Sequence, residues 1–202
     1  MKVGIYGGTF SPVHNAHVRA AEAFAQECAL DKLMVIPAGI PPHKAVDADD
    51  DPQKRLEMCR LAFSHIPCAE ISDIELRRSG KSYTVMTVRE LEDEDRKLYL
   101  LCGTDMILTF DQWYCFDEIM KKCTLVYIRR EDDENVGREL DEKVKLYEER
   151  YGAKIVKLTS PAIELSSTQV REAIRNGEDA SHLVPQSVME YINKQGMYRN
   201  KR

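Results

Sequence analysis

The stretch that most constrains this chain is its first seventeen residues. A short apolar strand, Val3 to Tyr6, runs directly into Gly7-Gly8. Thr9-Phe10-Ser11-Pro12-Val13-His14-Asn15-Ala16-His17 then leads into an alanine-rich helical pattern. Strand, glycine loop and helix in this order make an arrangement that binds phosphate. Glycine backbone approaches a ligand with no Cβ in the way, and the helix start offers free N–H groups and the positive end of its dipole. With a helix beginning near His14, the spacing of three puts His14 and His17 on one face of its first turn. Two imidazoles there can donate to phosphate oxygens. From the residues alone two other readings stay open: a plain tight turn after a strand, and half of a metal site. No second His or Cys pair at zinc spacing accompanies the histidines, however. The stretch is neither G-x-G-x-x-G nor a Walker A loop, which weighs against dinucleotide redox and P-loop chemistry.

Downstream, short apolar strands alternate with helical patterns. Val18, Ala21, Ala25 and Cys28 recur at helical spacing between Val18 and Leu30, and Asp31 to Pro37 is a strand around Leu33-Met34-Val35-Ile36. The three elements form a βαβ unit, for which a right-handed crossover to a parallel neighbour is the default. Ala38 to Asp51 reads as a loop containing Pro41-Pro42-His43-Lys44 and an acidic run, Asp47 to Asp51. Pro52 opens a helix that includes Leu56, Cys59, Arg60 and Phe63. Further strands are expected over Cys68 to Leu76, Lys97 to Cys102, Thr124 to Ile128 and Lys154 to Leu158. Ser82-Tyr83-Thr84 caps a helix through Leu91, and a helical segment follows Gly103-Thr104-Asp105. Short and long helices are expected from Phe116 and along Leu140, Val144, Tyr147 and Tyr151. Two more run from Ser166 to Asn176, with Gly177 as C-cap, and from Pro185. This alternation predicts an α/β fold: a mostly parallel sheet covered by helices on both faces. It forms one domain over 1–202 with a C-terminal helical part from about residue 161. In such sheets ligands bind beyond the carboxyl ends of the strands, where strand order reverses. The glycine loop and Gly103-Thr104-Asp105 both lie at such ends.

The formal charge of −5 and the lack of a long basic stripe argue against a nucleic-acid polymer as ligand. No apolar run approaches the ~20 residues of a membrane span, and no signal peptide is visible. The six cysteines form no C-x-x-C pair and read as free thiols in a reducing compartment, so a cytoplasmic location is expected. A homo-oligomer is left open.

Gly7 to His17 resembles the G-G-[TS]-F-[DN]-P-x-H-x-G-H signature of the nucleotidylyltransferase superfamily, with Ser11 in place of Asn or Asp and Ala16 in place of the glycine between the histidines. Pro41-Pro42-His43-Lys44 is similar to a P-P-H-K loop, and Glu75 to Thr84 to an E-x-x-R-x-G-x-S-Y-T segment. Leu165 to Arg171 is similar to an I-S-S-T-x-I-R motif. All three belong to the bacterial nicotinate-nucleotide adenylyltransferase family.

The resemblance implies a Rossmann-like fold and transfer of AMP from ATP to nicotinate mononucleotide in NAD biosynthesis. The partners are then these two small molecules, with Mg²⁺ arriving with ATP and no metal-binding residue assigned. It implies that His14, His17, Lys44 and Arg171 are catalytic. Gly7, Gly8, Thr9, Phe10, Gly103, Asp105, Ser166, Ser167 and Thr168 join them around ATP and its phosphates. Ser82, Tyr83, Thr84, Asp105, Trp113 and Tyr114 form the nicotinate mononucleotide site. Met86 stands where many relatives carry Asp. Read without the resemblance, Trp113 is ordinary packing, Asp105 is a helix cap, Ser166 and Gln169 are a capping box, and His43 and Lys44 are surface residues.

Overall fold

The computed structural model of the chain describes residues 1–40, 51–129 and 134–199. Six strands, β1 (Lys2–Gly8), β2 (Lys32–Pro37), β3 (Ala69–Ile71), β4 (Lys97–Gly103), β5 (Cys123–Ile128) and β6 (Lys154–Lys157), form one sheet in the order β3-β2-β1-β4-β5-β6. Every pairing among the described residues is parallel. Side chains alternate across a strand, and in β5 the alternation divides the core. Cys123, Leu125 and Tyr127 join one apolar cluster, while Val126 and Ile128 join the other. Both faces are therefore buried, which is why the strands read as continuous apolar runs.

Helices α1 (Asn15–Glu27), α2 (Pro52–Phe63), α7 (Ser167–Asn176) and α8 (Gln186–Gln195) cover one face. The other face is covered by α3 (Thr84–Leu91), α4 (Thr104–Leu108), α5 (Phe116–Lys122) and α6 (Glu134–Tyr151), with a 3-10 turn at Phe110–Gln112. The C-terminal α7 and α8 thus share a core with α1: Val170, Val188 and Ile192 pack in the cluster that holds Phe24.

The order reverses at β1, whose neighbours β2 and β4 continue in opposite directions across the sheet. The pairing of β1 with β4 runs to Ile5–Leu100, and the two strands then part, β1 continuing beside β2 to Gly8 and β4 beside β5 to Gly103. That parting opens the crevice predicted for a topological switch point.

At three places local expectations are corrected or refined. The strand expected over Cys68 to Leu76 is only Ala69–Ile71. Beyond it the Asp73 carbonyl accepts the Leu76 and Arg77 N–H groups, and Ser72 Oγ accepts that of Ile74, so the chain turns instead of extending. The buried stripe of α1 is Ala16, Ala20, Ala21, Ala23 and Phe24, while Val18 and Ala25 lie at its margin. The methyl-sized face admits Phe24 and Leu30 against Gly4, where an added Cβ would meet Leu30 Cδ1 at 2.4 Å. Finally, Tyr83, not Ser82 or Thr84, occupies the N-cap of α3, and no side chain caps it.

Candidate active site

The glycine loop leaves β1 and enters α1 through an extended His14 at the N-cap. The His14 and His17 rings stack with centroids 3.6 Å apart and planes inclined by 21°. The His14 backbone N–H donates to His17 Nδ1 at 3.2 Å. An accepting Nδ1 puts the ring proton on Nε2, so His17 keeps Nε2–H as its donor. The edge of Phe10 packs on the same ring, with centroids 5.1 Å apart. Phe10 was expected among the ATP contacts. It lines the hollow beside His14 and His17, with its ring 1% exposed and set among Tyr6, Phe63 and His17 and its backbone at φ 53°. It borders the hollow as a support for His17.

Around these residues lies a hollow of about 300 Å³, lined by Gly7, Gly8, Thr9, His14, His17, Gly103, Asp105, Ser166, Ser167, Thr168 and Arg171, with Met106 and Ile128. The two glycines have different reasons. A Cβ on Gly8 would strike the Phe10 ring at 2.9 Å, whereas a Cβ on Gly7 would meet nothing within 4 Å. Gly7 thus borders open cleft, where its bareness matters only to something that enters.

From the opposite side, α7 begins with a complete capping box. Ser166 Oγ accepts the Gln169 N–H at 3.3 Å, and Gln169 Oε1 accepts the Ser166 N–H at 2.7 Å. The Ser167 hydroxyl donates to the Pro12 carbonyl at 2.9 Å. Arg171 donates to the Ser11 carbonyl at 2.6 Å and the Thr168 hydroxyl at 3.1 Å. The start of α7 is thereby stitched to the glycine loop, and its positive end faces the same hollow as that of α1.

A second hollow of about 370 Å³ adjoins the first across Gly7, Gly8, Thr9, Asp105 and Met106. Ser82, Tyr83, Thr84, Trp113 and Tyr114 line it together with Glu75 and Thr87. Trp113 stacks on Phe110 with centroids 4.8 Å apart and planes 26° from parallel. Tyr114 is 58% exposed and leans on Tyr83. Asp105 lies at the seam of both hollows. The N-cap of α4 is Gly103, so the capping role considered for Asp105 does not hold. Met86 is 43% exposed and touches Arg89 rather than the hollow. Lys44, with His43 and most of the acidic run, lies outside the described residues.

Sequence reasoning passed over several residues that build this site. Glu75, 8% exposed, accepts the Thr87 hydroxyl at 2.6 Å, and Thr87 Oγ1 accepts from Arg78 Nη1 at 2.9 Å. Met106 places its sulfur 3.3 Å from the Gly103 nitrogen. Arg55 is wholly buried beneath the glycine loop, donating to the Thr9 carbonyl at 2.8 Å. The signal for Arg55 was present: with Cys59, Ala62 and Phe63 it repeats at i, i+4, i+7 and i+8, the spacing of an inner helix face.

A doubly wound parallel sheet with two helix starts converging on a glycine loop at the switch point defines a nucleotide-binding α/β protein. Residues 5–173 match the family model described as cytidylyltransferase-like, and relatives of full length share more than a third of the sequence; the chain belongs to this family and, within it, to that of the nicotinate-nucleotide adenylyltransferases. A protein of Thermoanaerobacter sp. (strain X514) named "Probable nicotinate-nucleotide adenylyltransferase" is 38% identical, over 98% of this chain and 95% of that protein. One of the same name from Clostridium tetani is 35% identical, over 98% and 99%. The fold is also that of the Plasmodium falciparum nicotinic acid mononucleotide adenylyltransferase, solved in complex with NaAD. The TM-score is 0.74 at 16% identity, covering 98% of this chain and 97% of that one.

Proposed function

We propose that this chain transfers AMP from ATP to nicotinate mononucleotide, giving nicotinate adenine dinucleotide and pyrophosphate, and that the two adjoining hollows hold the two substrates. The observation that carries the site assignment is their shared seam. Gly7, Gly8, Thr9 and Asp105 border both, so a phosphate in one hollow lies beside a ring and ribose in the other.

An oxygen of the mononucleotide 5′-phosphate attacks the α-phosphorus of ATP in line, one P–O bond forms, and the bond to the β-phosphate oxygen breaks. The attacking oxygen is already anionic and needs no general base. Catalysis is then positioning and charge stabilisation. His17, through Nε2–H, and His14 hold the phosphates, assisted by the starts of α1 and α7 and by Ser166, Ser167, Thr168 and Arg171. Lys44 adds a further cation. Ser82, Tyr83 and Thr84 take the nicotinate carboxylate near the α3 start, Trp113 and Tyr114 offer flat faces to the pyridine, and Asp105 accepts ribose hydroxyls.

The donors around the phosphate hollow are imidazole, guanidinium and hydroxyl, with Asp105 the carboxylate among them. That set suits phosphate and does not suit a resident Mg²⁺, which demands oxygen ligands. Mg²⁺ is accordingly part of the substrate, entering as the ATP complex. No helix among the described residues is long and apolar enough to cross a membrane, and all six cysteines are free thiols. We place the reaction in the cytoplasm.

The experiment is label transfer. With ATP carrying ³²P at the α position, label must appear in the dinucleotide and none in pyrophosphate. Label on an enzyme residue, or none in the dinucleotide, would overturn direct transfer.

A further inference from the structure

An in-line displacement tolerates little error in the distance between its two substrates, since misplacement by about 1 Å can cost ~10²-fold in rate. The two hollows are borne by different segments, the glycine loop after β1 and the α3 cap. A hydrogen-bonded path joins them. Arg55 of α2 is 0% exposed. Its Nη1 donates to the Thr9 carbonyl at 2.8 Å and its Nη2 to the Gly39 carbonyl at 3.3 Å. The Gly39 N–H donates onward to Ser82 Oγ at 2.9 Å, and the Ser82 N–H returns to the Ile40 carbonyl at 2.9 Å. The path therefore runs from the glycine loop through Arg55 and Gly39 to Ser82, the residue before the Tyr83 N-cap.

Two physical points separate this path from ordinary packing. A buried guanidinium is costly, and it is kept only where acceptors meet its donors. Its planar fork fixes the spacing of the groups it bonds, which the point charge of Lys does not do. Gly39, the junction, is also confined: an added Cβ would lie 2.5 Å from the Glu75 carbonyl oxygen, a backbone atom that cannot swing aside. Ser82 is thereby given a different duty from helix capping, since its hydroxyl holds Gly39.

We infer that Arg55, acting through Gly39 and Ser82, is a positioning residue that sets the spacing between the nucleotide-phosphate loop and the acceptor site. The inference rests on the proposed adenylyl transfer and concerns how its two substrates are held in line.

The test is a double-mutant cycle with Arg55→Lys, Ser82→Ala and both together. It measures kcat, the KM for each substrate, and equilibrium binding of ATP alone. Each single change is expected to lower kcat ~10-fold or more while the Kd for ATP moves less than about 2-fold. The double variant is expected to fall no further than the worse single one, because a path already cut is not cut twice.

Losses that multiply, or an effect of Ser82→Ala confined to the KM for the mononucleotide, would overturn the inference and leave Ser82 a simple ligand and Arg55 a core residue. If Arg55→Lys does not fold by circular dichroism, Ser82→Ala decides alone: it must lower kcat at saturating mononucleotide by ~10-fold or more with the Kd for ATP intact, and a change in the mononucleotide KM alone would overturn the inference. Wild-type protein that releases no pyrophosphate with nicotinate mononucleotide would overturn the reaction itself, a result distinct from an active wild type with silent or multiplying variants.

Discussion

His17 shows how a single hydrogen bond assigns a side chain its chemistry. The His14 N–H fixes the proton on Nε2, the Phe10 ring packs against the imidazole, and the proposed role follows from the Nε2–H donor of this tautomer. His17→Ala is expected to lower kcat about 10²-fold or more, as for the loss of one preorganised donor to developing charge, with the fold retained by circular dichroism. Unchanged turnover would contradict the role.

Thiol reactivity offers a second test at this scale. Burial pushes the Cys28, Cys59 and Cys102 thiols up, and pushes Cys123 up to about 12, so near neutral pH none of them is the reactive thiolate. Cys68 and Cys115 are only partly buried. A disulfide reagent on native protein should label these two quickly and the other four only on unfolding. The histidine motif and the serines before α7 were legible because residue type and spacing alone express them. The buried Arg55 was not, because Arg within a helix ordinarily signals a solvated face, and only its register with Cys59 and Phe63 says otherwise.

Elements are held in place by contacts that local sequence does not announce. Glu27, at the end of α1, accepts the Thr159 N–H at 2.7 Å and hydroxyl at 2.8 Å and the Ser160 N–H at 2.9 Å. This ties α1 to the segment that leads from β6 to α7. Burial raises the Glu27 pKa, but the hydrogen bonds from Ser160 and Thr159 outweigh it and bring the group from 4.5 down to about 2. A carboxyl depressed in the folded state stabilises at pH above its ordinary value, and that stability is lost as pH falls through the folded one. Glu27→Gln should therefore lower the melting temperature at pH 7, by a free energy on the order of 1 kcal/mol, since water screens an exposed carboxylate. The gap to wild type should close between about pH 4.5 and 2. A gap independent of pH would contradict the assignment.

Helix α7 was readable to the residue, because its Ser166–Gln169 box and Gly177 at φ 75° are local signals. The short β3 and the uncapped α3 were not: the local Asp73 turn is masked by an apolar alternation that reads as strand, and the Ser82 hydroxyl is taken by Gly39, 43 residues away in sequence.

For the whole molecule, the alternation of apolar runs and helical patterns was enough to give a parallel sheet with both faces covered. Convergence of the glycine loop and Gly103 followed from the rule of the switch point. What pattern could not supply was strand order, and with it the fact that β4, not β3, stands beside β1 and brings Asp105 to the glycine loop. The start of α3 is bonded to Gly39 and Ile40 beyond β2, Asp105 and Met106 follow β4, and α7 lies against the glycine loop, so that one crevice has an end of imidazole, hydroxyl and guanidinium groups and an aromatic end.

The central claim is that those two ends take ATP and nicotinate mononucleotide together. The most direct measurement is pyrophosphate release with ATP and Mg²⁺, comparing kcat/KM for nicotinate mononucleotide, its amide and phosphopantetheine under identical conditions. The account predicts strong release with nicotinate mononucleotide and much weaker release with phosphopantetheine, which presents no flat ring to Trp113. Preference for phosphopantetheine, or no release with any of the three, would contradict it.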